Sequence, residues 1–162
     1  MAPAYNMKDM EKKQIKTGVF AENRRASFDY EILETYEAGL SLLGSEVKSI
    51  QNSRATISGA QVLFRGGIAY LIGADIQPYQ PNNNTEAYDP LRVRALLLKK
   101  SEIEHIFRIS TEQKLTLPVL KLYNKGSRIK LLFGIARRRK KSDKREVLKK
   151  KSAVREMRNE RE

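Results

Sequence analysis

Glu34, Glu37 and Glu46 are spaced so that Glu34 with Glu37, or Glu37 with Glu46, can be read as a carboxylate pair for general acid and base work. Nothing in the chain completes such a site. The chain has one histidine, His105, and no cysteine, so thiolate metal centres, His-rich zinc sites and a disulfide framework are excluded. No activated nucleophile with an oriented base is present, and Gly66-Gly67, which lacks a phosphate-loop lysine, reads as a hairpin turn. No catalytic residue, metal ligand or cofactor is therefore assigned. The scattered acids read as a solvated face, and His105 as an exposed helix residue.

The plentiful chemistry is positive charge. The 162 residues carry 32 Lys plus Arg against 19 Asp plus Glu, a net +13. Residues 137–162 hold 13 of the basic and 5 of the acidic groups, a net +8, which leaves +5 on the preceding 136 residues. A mildly basic body with a strongly basic tail is the footprint of a polyanion binder, because each cation that neutralises a phosphate releases condensed counterions. An anionic membrane would attract the same tail. However, the only sizeable apolar groups there are Val147, Leu148, Val154 and Met157, with no aromatic anchor. No stretch approaches the roughly 18–20 apolar residues of a spanning helix, and the first 13 residues lack the apolar core of a secretory signal. The expectation is a soluble, cytoplasmic, monomeric nucleic-acid binder with no membrane partner. Arg137 to Lys141 alone reads equally as an RNA contact, a nuclear localisation signal or a solubilising tail.

The elements that must position these groups follow from periodicity. Residues 1–18 are polar, contain Met1, Met7 and Met10 as candidate starts, and read as a disordered leader. Residues 19–136 form the body. Phe28 to Leu33 alternates as a strand does, with Phe28, Tyr30 and Ile32 on one face, and the pattern resumes at Leu40 and Leu42. Gly44-Ser45 offers a break and an N-cap before Val47 and Ile50, spaced for a short helix. Gln61–Arg65, Gly66-Gly67 and Ile68–Ile72 read as a hairpin with a tight primed turn. Residues 77–90, with three prolines and three consecutive asparagines, form a loop. Arg94 to Lys99 reads as a buried strand, and Ser101 with Glu104 as the capping box of a helix bearing Ile103, Ile106 and Phe107. Thr116 to Tyr123 alternates again, and Asn124-Lys-Gly126 turns it into Arg128–Ala136.

Together these make a mainly β fold of about six strands with short accessory helices. This favours a closed antiparallel barrel of the oligonucleotide-binding type. Phe28, Tyr30, Phe64, Tyr70, Tyr123 and Phe133 then either stack bases or fill the core, while Tyr5, Tyr79 and Tyr88 read as merely exposed. The basic tail, residues 137–162, is helix-forming in propensity but short of apolar contacts, so it is expected to be disordered alone and to fold on an anionic surface.

Specific strings add to this pattern. Asn23-Arg-Arg-Ala26 with Tyr30, Tyr36-Glu-Ala-Gly-Leu40, Leu43-Gly-Ser-Glu-Val-Lys-Ser49, Asp89-Pro90 with Arg92, Arg94 and Leu96-Leu97-Leu98, and Asp143-Lys-Arg145 occur in the order and spacing of one family. They resemble SmpB, the SsrA (tmRNA)-binding proteins of bacteria, from about residue 17 to 155. The resemblance implies ribosome rescue by trans-translation. The body would bind the tRNA-like domain of tmRNA and mimic an anticodon arm. The tail would enter the empty message channel of a stalled ribosome near the small-subunit decoding centre and fold into a helix there. No reaction would be catalysed by the protein itself.

Carried over by position, the resemblance places tmRNA contacts at Asn23, Glu37, Leu97 and Lys130, with Arg24, Arg25, Lys48, Arg92 and Arg94 as electrostatic support. It places Asp143, Lys144 and Arg145 at the decoding region. The chemistry fits: Asn23 offers donor and acceptor to a base edge or ribose, Glu37 accepts from an exocyclic amine or 2′-hydroxyl, Leu97 packs on an unstacked base, and Lys130 neutralises phosphate. The bland alternative pairs Glu37 with Arg24, Arg25 or Lys48. Two positions depart from the family pattern: Arg138 stands where a glycine is usual, and Ser142 where a ring precedes the Asp. A general basic RNA chaperone or ribosomal component is the competing reading, and an RNA-acting enzyme the third.

Overall fold

The computed structural model describes residues 18–83 and 87–159. Residues 1–17 of the expected leader, with Tyr5, lie outside the described residues. Among the described residues, nine strands and four α-helices run in the order β1 (Val19–Glu22), α1 (Ala26–Asp29), β2 (Tyr30–Leu40), α2 (Gly44–Gln51), β3 (Ala55–Thr56), β4 (Gln61–Arg65), β5 (Ile68–Ile72), β6 (Asp75–Ile76), β7 (Arg94–Leu97), α3 (Lys100–Glu112), β8 (Val119–Lys125), β9 (Arg128–Arg138) and α4 (Lys141–Asn159). Seven strands form one antiparallel sheet in the order β1-β8-β9-β2-β7-β5-β4, and β3 pairs with β6. The sheet thus has more strands than the expected six. Outside its ladders, β4 meets the approach to β8 through an isolated bridge, Gln61 to Pro118. There Val62 N–H donates to Leu117 O (2.9 Å) and Val119 N–H to Ala60 O (3.0 Å).

The hairpin forms as its residues dictate. Leu63 opposes Tyr70 and Arg65 opposes Ile68, and Gly66 and Gly67 take φ of 59° and 75°, a conformation that L side chains resist. Val62, Ala69 and Leu71 point into the core, joined there by Leu96, Leu131, Phe133 and Ile135. Ile106 of α3 is fully buried in the same cluster. The opposite face of β8, β9 and β2 carries a second, smaller cluster: Leu120, Tyr123 and Leu132, covered by Ala26 of α1.

Two bulges explain where simple alternation fails. The register shifts between Val119 and Lys121, so Val119 and Leu122 both enter the main core while Leu120 faces the second cluster. A shift between Ile32 and Glu34 similarly puts Ile32 on the face of the second cluster and Tyr36 in the main core.

Other expectations need correction. Phe28 lies in the helical turn α1, and the strand begins at Tyr30 and runs unbroken to Leu40. Neither Ser45 nor Ser101 caps a helix. Instead Glu46 accepts from Leu43 N–H (2.9 Å) and Glu102 from Lys99 N–H (3.0 Å), a carboxylate three residues in reaching back to an orphan donor. The last body strand continues past Ala136 through Arg137 and Arg138, which pair with Glu31 and Tyr30.

Candidate nucleic-acid interface

Strand register assembles the site. Directly opposed residues share a face, so the pairings Tyr123 to Lys130, Lys130 to Gly39 and Gly39 to Leu97 make one row across β8, β9, β2 and β7. Glu37, two residues before Gly39, shares that face. The row borders an open cleft of about 570 Å³ lined by Glu37, Leu97 and Lys130 with Leu96, Leu98, Lys99, Gly67, Ile68, Glu102 and Ile103. Leu97 is 64% exposed, an apolar side chain with no core role. It lies over Gly39: a Cβ there would stand 3.2 Å from Leu97 Cβ and 3.4 Å from its Cδ1, so the glycine makes room for the leucine.

Glu37 is half-buried and held by its neighbours. Its carboxylate accepts from the Tyr123 hydroxyl and from Lys125 Nζ at 3.0 and 3.1 Å. Burial pushes its pKa up, but the hydrogen bonds from Tyr123 and Lys125, with Lys130 nearby, outweigh it and leave the group below the ordinary carboxylate range. It is therefore an anion at neutral pH, fixed in place at the edge of a cleft that also holds a lysine. Its partners are Tyr123 and Lys125 rather than Arg24, Arg25 or Lys48.

The remaining expected residues fall in three other places. Asn23 sits at the junction of β1 and α1, where its backbone N–H donates to Leu120 O (2.8 Å) and its amide Nδ2 to Val119 O (3.3 Å). Arg24 and Arg25 come next in the chain, both exposed, in long ion pairs with Glu22 (3.8 Å) and Asp29 (3.9 Å). Lys48 is exposed on α2 with its Nζ 5.5 Å from the centre of the Tyr79 ring.

Arg94 is corrected most sharply. Arg94 is fully buried: its Nε donates to Glu46 Oε1 (2.9 Å), Nη1 to Ala74 O and Arg92 O, and Nη2 to Pro90 O and the Tyr88 hydroxyl. Arg92 donates to both Glu46 oxygens at 2.7 and 2.6 Å. Burial alone would raise the Glu46 pKa, but Arg92, the Leu43 N–H and Arg94 bring it down to about 2. Arg94 has no surface to offer a phosphate, whereas Arg92 is 31% exposed with its guanidinium engaged by Glu46; together they hold the 88–94 segment against α2. Glu46 is accordingly no solvated acid, and Tyr88 is no idle surface ring, since its hydroxyl also donates to Ile76 O (2.8 Å).

Of the candidate stacking rings, Phe133 and Tyr123 are buried, Phe133 against the Tyr36 ring at 5.9 Å, and Phe64 meets Phe107 edge-on. His105 is exposed, as expected. Sequence reading missed Ile68 at the hairpin tip and Lys125 beside Glu37. The signal for Ile68 was present: an apolar residue directly after a two-glycine turn, opposite Arg65, at a solvent-facing register position. No group of three or more His, Cys, Asp or Glu able to hold a metal occurs among the described residues. No described helix is long and apolar enough to cross a membrane.

In the tail, Asp143 accepts from Lys140 N–H (3.2 Å) and from Ser142 Oγ (3.3 Å). Lys144 reaches back to the body, and Arg145 is exposed.

A family model described as SmpB protein matches residues 20–162. The chain belongs to the SmpB family. An SsrA-binding protein of Mesoplasma florum is 48% identical over 137 residues, covering 85% of this chain and 92% of that relative. One from Thermosynechococcus vestitus is 46% identical, covering 86% and 91%. A solved structure described as "tmRNA-SmpB: a journey to the center of the bacterial ribosome" is similar with a TM-score of 0.60 and 45% identity, covering 74% of this chain and 84% of that one. Among the strings quoted above, Tyr36–Leu40 supplies Glu37 and Gly39 of the cleft face, whereas Leu43–Ser49 supplies the buried Glu46, so one string lies at the cleft and the other inside the fold.

Proposed function

We propose that this protein is a ribosome-rescue factor that binds the tRNA-like domain of tmRNA and delivers it to stalled ribosomes for trans-translation. The observation that carries the reading is the gathering of Glu37, Leu97 and Lys130, far apart in sequence, around one open cleft. An anion, an exposed apolar side chain and a cation around such a cleft suit an unstacked nucleotide: apolar contact for the base, an acceptor for an amine or 2′-hydroxyl, and a cation for phosphate. Asn23, Arg24 and Arg25 form a second contact at the β1–α1 turn, with Lys48 adding charge on α2. Arg92 and Arg94 support the fold instead.

The body is read as an oligonucleotide-binding-like barrel, its closure supported by the two backbone hydrogen bonds between β4 and the approach to β8. It stands in for an anticodon arm. The tail, with Asp143, Lys144 and Arg145 at its base, occupies the empty message channel near the decoding centre. It forms helix α4 with no buried residue of its own, which leaves the turns beyond its base to gain stability from RNA. The protein acts in the cytoplasm, by binding alone.

The test is binding of the full chain, Glu37→Ala and Leu97→Ala to tmRNA at two salt concentrations, against excess transfer RNA and an unrelated folded RNA. Each substitution is expected to weaken tmRNA binding about tenfold or more with competitors ineffective on the parent chain. Equal displacement by every RNA, with both variants unchanged, would make the protein a general polyanion binder.

A further inference from the structure

Helix α4 is 19 residues long, buries none of them fully and half-covers only Lys144 and Val147, so apolar packing does little to set its direction. At about 1.5 Å per residue it is a lever of about 28 Å, and a small rotation at its base displaces its far end by many ångströms. Its base is tied twice to one residue of the body. Arg139 N–H donates to the Asp29 carbonyl (2.9 Å), and Lys144 Nζ donates to Asp29 Oδ1 (2.7 Å). The same ammonium stands 5.5 Å from the centre of the Phe28 ring.

This pair differs from the surface ion pairs of the chain. The Lys144 and Asp29 side chains are only 26% and 29% exposed, against 92% and 68% for Lys100 and Glu104, so it is screened less by water and salt. The Asp29 carboxyl lies below its ordinary range, the Lys144 hydrogen bond being the leading cause.

We infer that Asp29, with the Phe28 ring, is a positioning latch that grips Lys144 and thereby aims the tail helix relative to the RNA-binding body. The Asp-Lys-Arg triplet then divides its work. Asp143 closes the first turn of α4 by accepting from Lys140 N–H, Lys144 binds the body, and Arg145 is the cation left exposed to RNA. The geometry stands by itself; its consequence for rescue rests on the function proposed above.

The test uses the full chain, which has no cysteine, so spin labels go on cysteines placed at exposed Ser127 and Ser152 without background. Variants are Asp29→Asn, Lys144→Gln, Asp29→Lys, Lys144→Asp and the charge-swapped double mutant. Each single change is expected to broaden the label-to-label distance distribution and to lower tagging on stalled ribosomes about tenfold, with tmRNA affinity within about twofold. The swap is expected to narrow the distribution again and restore most of the tagging. An unchanged distribution in Asp29→Asn and Asp29→Lys overturns the latch. A swap that restores the distances while tagging stays lost supports the latch and overturns its consequence for rescue, because Lys144 then acts on RNA itself. A parent chain that fails to bind tmRNA overturns the proposed function instead, and the distances still decide the latch.

Discussion

Glu46 shows how one side chain can matter to the site without touching it. Its carboxylate lies between the guanidiniums of Arg92 and Arg94, and β7, which starts at Arg94, carries Leu97 into the cleft. Replacing Glu46 by Gln leaves Arg94 buried with its charge uncompensated, a loss on the order of 3 kcal/mol or more. The sign of the pH dependence comes from the depressed carboxyl. With a folded pKa of about 2 against an ordinary value of 4.5, its contribution is fully present above pH 4.5 and is lost as pH falls towards 2. Urea unfolding of parent and Glu46→Gln between pH 7 and pH 3 should therefore show a stability gap that is widest at neutral pH and narrows in acid. A gap independent of pH would mean the carboxylate charge is not what holds the segment. Sequence reading had no means to see this pair, because its partners lie 46 and 48 residues away and charge alone does not distinguish a surface arginine from a buried one.

At the scale of elements, legibility tracked how local the determinant is. The β4–β5 hairpin was readable to the residue because two adjacent glycines at positive φ set its register. The β8 alternation was misread because its bulge exchanges the faces of everything beyond it, and in β2 the shared face of Tyr30 and Ile32 was legible but the stretch beyond the bulge was not, since a bulge is settled by the neighbouring strand rather than by the string itself. The helix caps were misplaced by two residues for a similar reason: the capping carboxylates Glu46 and Glu102 were present, but Leu43 and Lys99 give backbone N–H groups and no side-chain signal. Gly39 offers a prediction at this scale. A methyl there meets Leu97 Cβ at 3.2 Å, and because Leu97 is exposed it can yield outward. Gly39→Ala should cost less than about 1 kcal/mol of stability by thermal unfolding and still weaken tmRNA binding severalfold, since the apolar wall of the cleft has moved. Gly66→Ala should do the reverse, losing about 1 kcal/mol from the strained turn, with the cleft residues Glu37, Leu97 and Lys130 left in register.

For the whole molecule, charge asymmetry was legible from composition, but the place where body becomes tail was not. Arg137 and Arg138 look like the start of the basic tail, yet they complete β9 against Glu31 and Tyr30, and Arg139 N–H still donates to Asp29 O. A truncation after Ala136 would therefore strip the edge from β2 and confuse loss of folding with loss of tail function. Ending the chain after Lys140 spares β9 entirely and removes only α4 with residues 160–162. That form should unfold at a temperature within a few degrees of the parent, because no residue of α4 is buried. Its tmRNA affinity should fall only slightly, with a shallower dependence on salt as the distant cations are lost. Tagging on stalled ribosomes should be abolished. If tmRNA affinity instead collapses while tagging persists at saturating tmRNA, the division of labour is the opposite one: the tail would be holding tmRNA, and the cleft at Glu37, Leu97 and Lys130 would have to serve the ribosome.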